Sequence, residues 1–328
     1  MPANLSPEYI AAERKLRTAK TPQEKLSILE EMLATIPKHK GTEKMQAMLK
    51  TKIAKLKDQL QSRPAVARHG PSYHVEKSGA GQVAVVGPPN SGKSRLIASL
   101  TGAQPEVGDY PYTTRAPSPF MMKFENIKIQ LVDTPPLAPE EIQMELAELI
   151  KTADRVLLVL DLADQETASI LETQLLRLRE KRIELIFENS PSAERMPYAK
   201  RTLVAANKSD LPQAEEILSF VKEYFGDKLP MLAVSAARGD GLEELRKHLF
   251  LLLDVIRVYS KTPGKKPDLN DPFSLKKGST VIDMARAVHK DFVEKLKYAR
   301  IWRRDLLQGQ MINRDFVLED EDIVELHI

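Results

Sequence analysis

Eight residues, Gly87-Pro88-Pro89-Asn90-Ser91-Gly92-Lys93-Ser94, constrain this chain more than any others. They lie between the apolar run Val83-Ala84-Val85-Val86 and the helix-forming stretch Arg95-Leu96-Ile97-Ala98-Ser99-Leu100. The spacing G-x-x-x-x-G-K-S lets successive backbone N–H groups curl around a polyphosphate, with Lys93 reaching the terminal phosphates and the Ser94 hydroxyl a magnesium ion. Gly87 and Gly92 permit the tight backbone and its close approach, and the helix that follows aims its positive end at the anion. Asn90, Ser91, Gly92, Lys93, Ser94 and Arg95 are therefore expected to line a phosphate cradle. The strand before it and the helix after it are the context that separates such a cradle from a chance match.

Composition narrows the setting. At 328 residues the chain has room for two or three domains. No apolar run approaches the roughly 20 residues that span a bilayer, and Met1-Pro2-Ala3-Asn4 opens no signal-peptide pattern. A cytoplasmic protein without membrane contact is the expectation. The absence of cysteine excludes disulfides and thiolate metal sites, and the 6 histidines show no ligand spacing. Any metal should be held by oxygen.

Residues 1–77 read as a basic helical region. Ser6-Pro7-Glu8 and Thr21-Pro22-Gln23-Glu24 are helix starts, and Tyr9, Ala12 and Leu16, then Leu26, Leu29, Leu33 and Ile36, form apolar stripes ending at Pro37. A third helix is expected over 42–61, with Met45, Met48, Leu49, Ile53, Leu56 and Leu60 on one side. The segment holds about 15 Lys/Arg against 8 Asp/Glu in a chain of net charge +3, so the remainder is acidic. Two readings stand: an RNA- or ribosome-facing arm, and an ordinary solvated helix face.

From residue 78 to 253 strand and helix signals alternate, which predicts a mostly parallel sheet covered by helices. Strands are expected near 82–87, 119–125, 127–132, 155–160, 183–187, 202–206 and 230–234, and helices over 93–101, 139–151, 166–181, 213–225 and 240–253. A small excursion is expected at 189–198. Residues 254–328 suit a β-grasp module, with strands near 255–259, 273–275, 316–318 and 323–327 and one helix over 280–296.

Further motifs fall at strand ends. Asp109-Tyr110-Pro111-Tyr112-Thr113-Thr114-Arg115 is a loop whose Thr114 can close over a metal together with Ser94. Asp133 ends a strand beside the cradle and can hold the same ion through water. Lys93, Thr114 and Asp133 are the expected catalytic set, and Ser94, Thr114 and Asp133 the metal set. Nucleotide-switching enzymes place a glycine three residues after this Asp, where its N–H reaches the terminal phosphate; here Pro136 has no N–H to give. Leu137 stands where some of them carry a water-orienting Gln. In Asn207-Lys208-Ser209-Asp210 the carboxylate can accept from guanine's ring N–H and exocyclic amine, a donor pair adenine lacks, and the Lys208 stem can lie over the base. Small residues at Ser235, Ala236 and Ala237 let backbone N–H groups approach the guanine oxygen.

With these elements in order the chain resembles the Obg-superfamily GTPases, most closely the DRG-like branch. The likeness rests also on Pro37-Lys38-His39-Lys40-Gly41-Thr42-Glu43-Lys44, on the Tyr-Pro-Tyr-Thr-Thr loop, and on a tail with Val258-Tyr259-Ser260-Lys261 and Val317-Leu318-Glu319-Asp320-Glu321-Asp322 that looks like a TGS domain. The resemblance implies an α/β P-loop G domain with an N-terminal helical hairpin and a C-terminal β-grasp TGS domain. It also implies GTP and GDP with Mg²⁺ as ligands, and hydrolysis coupled to ribosome or RNA contact, with room for a protein partner. It suggests that Asn90 helps bind K⁺, against the plainer reading that Asn90 only stabilises the loop. A guanine-nucleotide-dependent scaffold without turnover is the competing class, motivated by Pro136; an ATP-using enzyme is disfavoured by Asp210.

Overall fold

The run Gln82-Val83-Ala84-Val85-Val86 is apolar at every position but one, as a strand covered on both faces must be. In the computed structural model, which describes residues 7–18, 22–37, 42, 45–53, 73–103, 116–138, 140–187, 197–226, 229–304 and 307–328, it is the strand β1 (Gln82–Val86) and is wholly buried. Its neighbours are β3 (Ile127–Asp133) and β4 (Arg155–Asp161), both parallel to it. The sheet runs β2-β3-β1-β4-β6-β5, with β2 at Ser118–Phe124, β5 at Glu184–Ile186 and β6 at Ala199–Asn207; β7 (Met231–Ala233) pairs with β6. Only the β2–β3 pair is antiparallel among these ladders.

Strand periodicity divides the core in two. Ala84, Val86, Leu158, Leu160, Val204 and Ala206 face α5 (Met144–Thr152), α6 (Thr167–Glu180) and α7 (Ala214–Phe225). Val83, Val85, Leu157, Val159, Leu203 and Ala205 face α4 (Lys93–Thr101) and α8 (Leu242–Leu253). The carboxyl ends of β1, β3, β4 and β6 thus deliver Gly87, Asp133, Asp161 and Asn207 to one edge, where open α/β sheets bind ligands. The expected helix over 139–151 begins only at Met144.

The second sheet has the order β11-β10-β12-β8-β9. Its strands are β8 (Val255–Ser260), β9 (Phe273–Lys276), β10 (Tyr298–Arg303), β11 (Leu307–Ile312) and β12 (Asp322–His327), with β8 and β12 parallel in the middle. One helix expected over 280–296 is two, α9 (Val281–Val288) and α10 (Lys290–Lys295). The break is at His289, whose backbone is extended and whose ring accepts from the Asp291 N–H, starting the second helix. Strands β10 and β11 were not expected, although Ala299 and Ile301 alternate inward as a strand requires. The expected strand at 316–318 reduces to a single bridge, Thr280 to Val317.

The residues fall into two compact units, Met1–Gly70 and Pro71–Ile328. The first, by itself, packs α1 (Pro7–Thr18), α2 (Pro22–Thr35) and a helix α3 over 45–53 around Tyr9, Ala12, Leu29, Met32, Ile36, Leu49 and Ile53. Met48, expected on the apolar side, is 61% exposed. The rest of the expected third helix, the loop 104–115 with Thr114, and most of the 189–198 excursion lie outside the described residues. Among the described residues no helix is long and apolar enough to cross a membrane.

Candidate nucleotide site

The cradle's two glycines are required by close contact. A Cβ on Gly87 would meet the Val159 carbonyl oxygen at 2.4 Å, and one on Gly92, which has φ +85° at the start of α4, would meet Asn207 Nδ2 at 2.4 Å. Lys93 lies folded into the loop, donating to the carbonyls of Gly87 (3.2 Å) and Pro88 (2.8 Å). Burial pushes its ammonium down to about 8, while the Asp133 carboxylate pulls the other way. Ser94 Oγ donates to Asp133 Oδ2 at 2.6 Å. Asp133 is buried at the end of β3. Among the described residues no cluster of three or more His, Cys, Asp or Glu exists that could hold a metal. A hydroxyl beside one carboxylate fits a hard cation such as Mg²⁺, which takes few protein ligands and completes its shell from phosphate and water.

Across the sheet edge, the loop after β6 is tied to the cradle. Asn207 Nδ2 donates to the Ser91 carbonyl at 2.8 Å, and its Oδ1 accepts from the Ala236 N–H at 3.0 Å. Both polar ends of this buried side chain therefore bind protein. Lys208, at φ 67°, sends Nζ to Asp161 Oδ2 at 2.6 Å. Asp210 accepts from the Ser235 hydroxyl at 2.6 Å, which holds its carboxylate below the usual range, and the same hydroxyl accepts from the Arg238 N–H. The Ser235 N–H is bound to the Asp240 carbonyl, so of the three small residues only Ala237 keeps an N–H with no hydrogen-bond partner among the described residues. Asn90 and Arg95 are exposed at the cradle, Asn90 at φ 57°.

The segment after Asp133 is fastened down. Thr134 Oγ1 donates to the Val85 carbonyl at 2.8 Å. Leu137 is fully buried, its N–H bound to the Gly87 carbonyl (3.0 Å) and its carbonyl to Gln174 Nε2 (3.2 Å). Pro136 lies between these anchors.

The sequence profile of the family described as "50S ribosome-binding GTPase" matches residues 82–189, and that of the TGS domain matches 256–328. A GTP-binding protein of Methanocaldococcus jannaschii is 30% identical over 93% of this chain and 93% of its own length. The developmentally regulated GTP-binding protein 2 of Homo sapiens is 24% identical over 92% of this chain and 98% of its own. This chain belongs to the DRG-type GTP-binding proteins. A solved GTP-binding protein from Pyrococcus horikoshii matches 75% of this chain and 99% of its own at 19% identity, with a TM-score of 0.49. The GTPase match falls on the first sheet of the second unit, from β1 to β5, and the TGS match on its second sheet.

Two residues of the site escaped the sequence reading. Asp161 ends β4 beside the cradle and anchors Lys208, and its signal was available, since an acid at the carboxyl end of a parallel strand also identified Asp133. Gln174 lies mid-helix on α6 with no motif around it, and only the folded chain brings it to Leu137.

Proposed function

We propose that this DRG-type protein binds GTP and GDP with Mg²⁺ in the cytoplasm and hydrolyses GTP slowly, in association with ribosome or RNA. The observation that carries the reading is the Asp210–Ser235 pair, held on loops that Asn207 ties directly to the phosphate cradle. An ionised Asp210 accepts guanine's two donors, with the Ala237 N–H open toward the base oxygen. Lys93 exchanges its two carbonyl partners for phosphate oxygens. Ser94 and Asp133 hold the magnesium, which would neutralise charge building on the transferred phosphoryl group. Thr114 is assigned to the same ion from sequence alone.

Turnover is slow in this reading because Pro136 offers no N–H and Leu137 belongs to the core, so neither can orient a water. Catalysis then rests on positioning and on the electrostatics of the cradle. Asn90 is the place for an assisting K⁺. The basic first segment, the TGS match and the description of the matching GTPase family support a ribosome or RNA partner. Phosphate release from GTP in potassium buffer, with and without ribosomes, tests the proposal, and ribosome-stimulated turnover is the expected result. The second reading, a nucleotide-dependent scaffold, is favoured by the same Pro136 and predicts no release in either condition.

A further inference from the structure

One hairpin has its two ends in different sheets' chemistry. Strands β2 and β3 pair antiparallel from Ser118 opposite Asp133 to Phe124 opposite Ile127. At the first end Asp133 receives the Ser94 hydroxyl. At the other, the turn Glu125–Asn126 is fastened to the second sheet. The Glu125 carboxylate pairs with Arg257 on β8, and Asn126 Nδ2 donates to the Tyr259 hydroxyl (2.7 Å) and the Leu269 carbonyl (3.1 Å). Phe124 stacks on Phe250 with centroids 5.1 Å apart, and the Arg257 guanidinium lies 5.3 Å from the same Phe250 ring.

This joint is built to hold and able to let go. Arg257 is buried, but it also binds Asp320 (2.6 Å) and Glu321 (3.1 Å) of its own domain, so releasing Glu125 leaves no buried charge alone. Glu125 has a side chain 57% exposed, ready for water once released. It is held at φ 48°, the positive φ that a two-residue hairpin turn requires, and Asn126 Oδ1 is buried with no hydrogen-bond partner among the described residues.

We propose that the β2–β3 hairpin is a lever by which the TGS sheet regulates the nucleotide site: displacing the Glu125–Asn126 turn shifts Asp133 and changes nucleotide release, and the bound nucleotide in turn sets the state of the joint. The inference rests on the nucleotide-binding reading above. A strand of this length spans roughly 20 Å and its ladder keeps the two ends in register. Linkage makes the effect on nucleotide affinity reciprocal, and the release rate reports it only insofar as affinity changes through release.

The test uses the full chain. Release of a fluorescent GDP analogue is followed by stopped flow in magnesium buffer for the wild type and for Glu125→Ala/Asn126→Ala, with Arg257→Lys as a second variant should the first fail to fold. The release rate is expected to change about fivefold or more. In the wild type, hydrogen exchange across Val255–Ser260 should differ between GDP and a non-hydrolysable GTP analogue, and the variant should lose that difference. Release rates within about 1.5-fold of each other, with β8 exchange blind to the nucleotide, would overturn the lever. A wild type that fails to bind the analogue rejects the nucleotide reading instead.

Discussion

The loops at 207–210 and 235–238 and the segment 133–137 would meet opposite ends of one nucleotide, and they are built in opposite ways. At the first, every named side chain is held by a protein partner: Ser235 orients Asp210, Asp161 anchors Lys208, and Asn207 joins both loops to the cradle. At the second, the backbone position that would reach a terminal phosphate is a proline, and the next side chain is sealed in the core. In the proposed function, recognition and turnover are therefore separable: the one would rest on well-connected loops, the other on a segment that lacks a donor.

The comparison can be broken from the recognition side first. Asp210→Ala removes the proposed acceptor of guanine's two donors, and GTP affinity by isothermal titration should fall about a hundredfold or more, with guanine-over-adenine preference lost. An unchanged affinity would show that the base is read elsewhere.

Next in size is a pH effect through Lys93, whose pKa is lowered by burial to about 8. Below that value the cation is present and affinity should be flat. Above it the site must take up a proton to bind phosphate, so affinity should fall about tenfold per pH unit. The stability of the nucleotide-free protein moves the other way. A lysine whose folded pKa lies below its unfolded value of 10.5 destabilises the fold at low pH, and that penalty fades as pH rises from about 8 toward 10.5. Lys93→Met should flatten both profiles, at a cost in affinity.

On the turnover side, Pro136→Gly restores an N–H and should raise single-turnover hydrolysis about fivefold with little change in affinity, since one such donor is worth roughly 1 kcal/mol. The smallest expected effect is a two- to threefold stimulation by K⁺ over Na⁺, abolished by Asn90→Ala, an order-of-magnitude expectation for one added monovalent charge near exposed cradle atoms.

What could be read without coordinates was local in sequence. The cradle, the strand ending in Asp133 and the Asn207–Asp210 loop each lie within a few residues, with the turn chemistry and apolar runs that place them. The joint at Glu125, Arg257 and Asp320 could not be read so, because Arg257 meets Glu125, 132 positions away, only through packing of two sheets, and Asp320, 63 positions away, only where β8 and β12 come together. Strands β10 and β11 were hidden for another reason. Arg300, Gln308, Gly309 and Gln310 dilute their apolar alternation; Tyr298, Ile301 and Trp302 favour a strand, and pairing with β11 and β12 fixes β10 as one. Leu137 was legible as a departure, but its burial against α6 and its bond to Gln174 were not.

The most direct test of a site that recognises well and turns over slowly is single-turnover hydrolysis of γ-labelled GTP at saturating protein, in potassium buffer, comparing wild type with Pro136→Gly. The account predicts full occupancy in both and a wild-type rate near that of unassisted switch GTPases, on the order of 10⁻³ s⁻¹, with the glycine variant faster. A wild-type rate near 1 s⁻¹, left unchanged by the glycine, would contradict it.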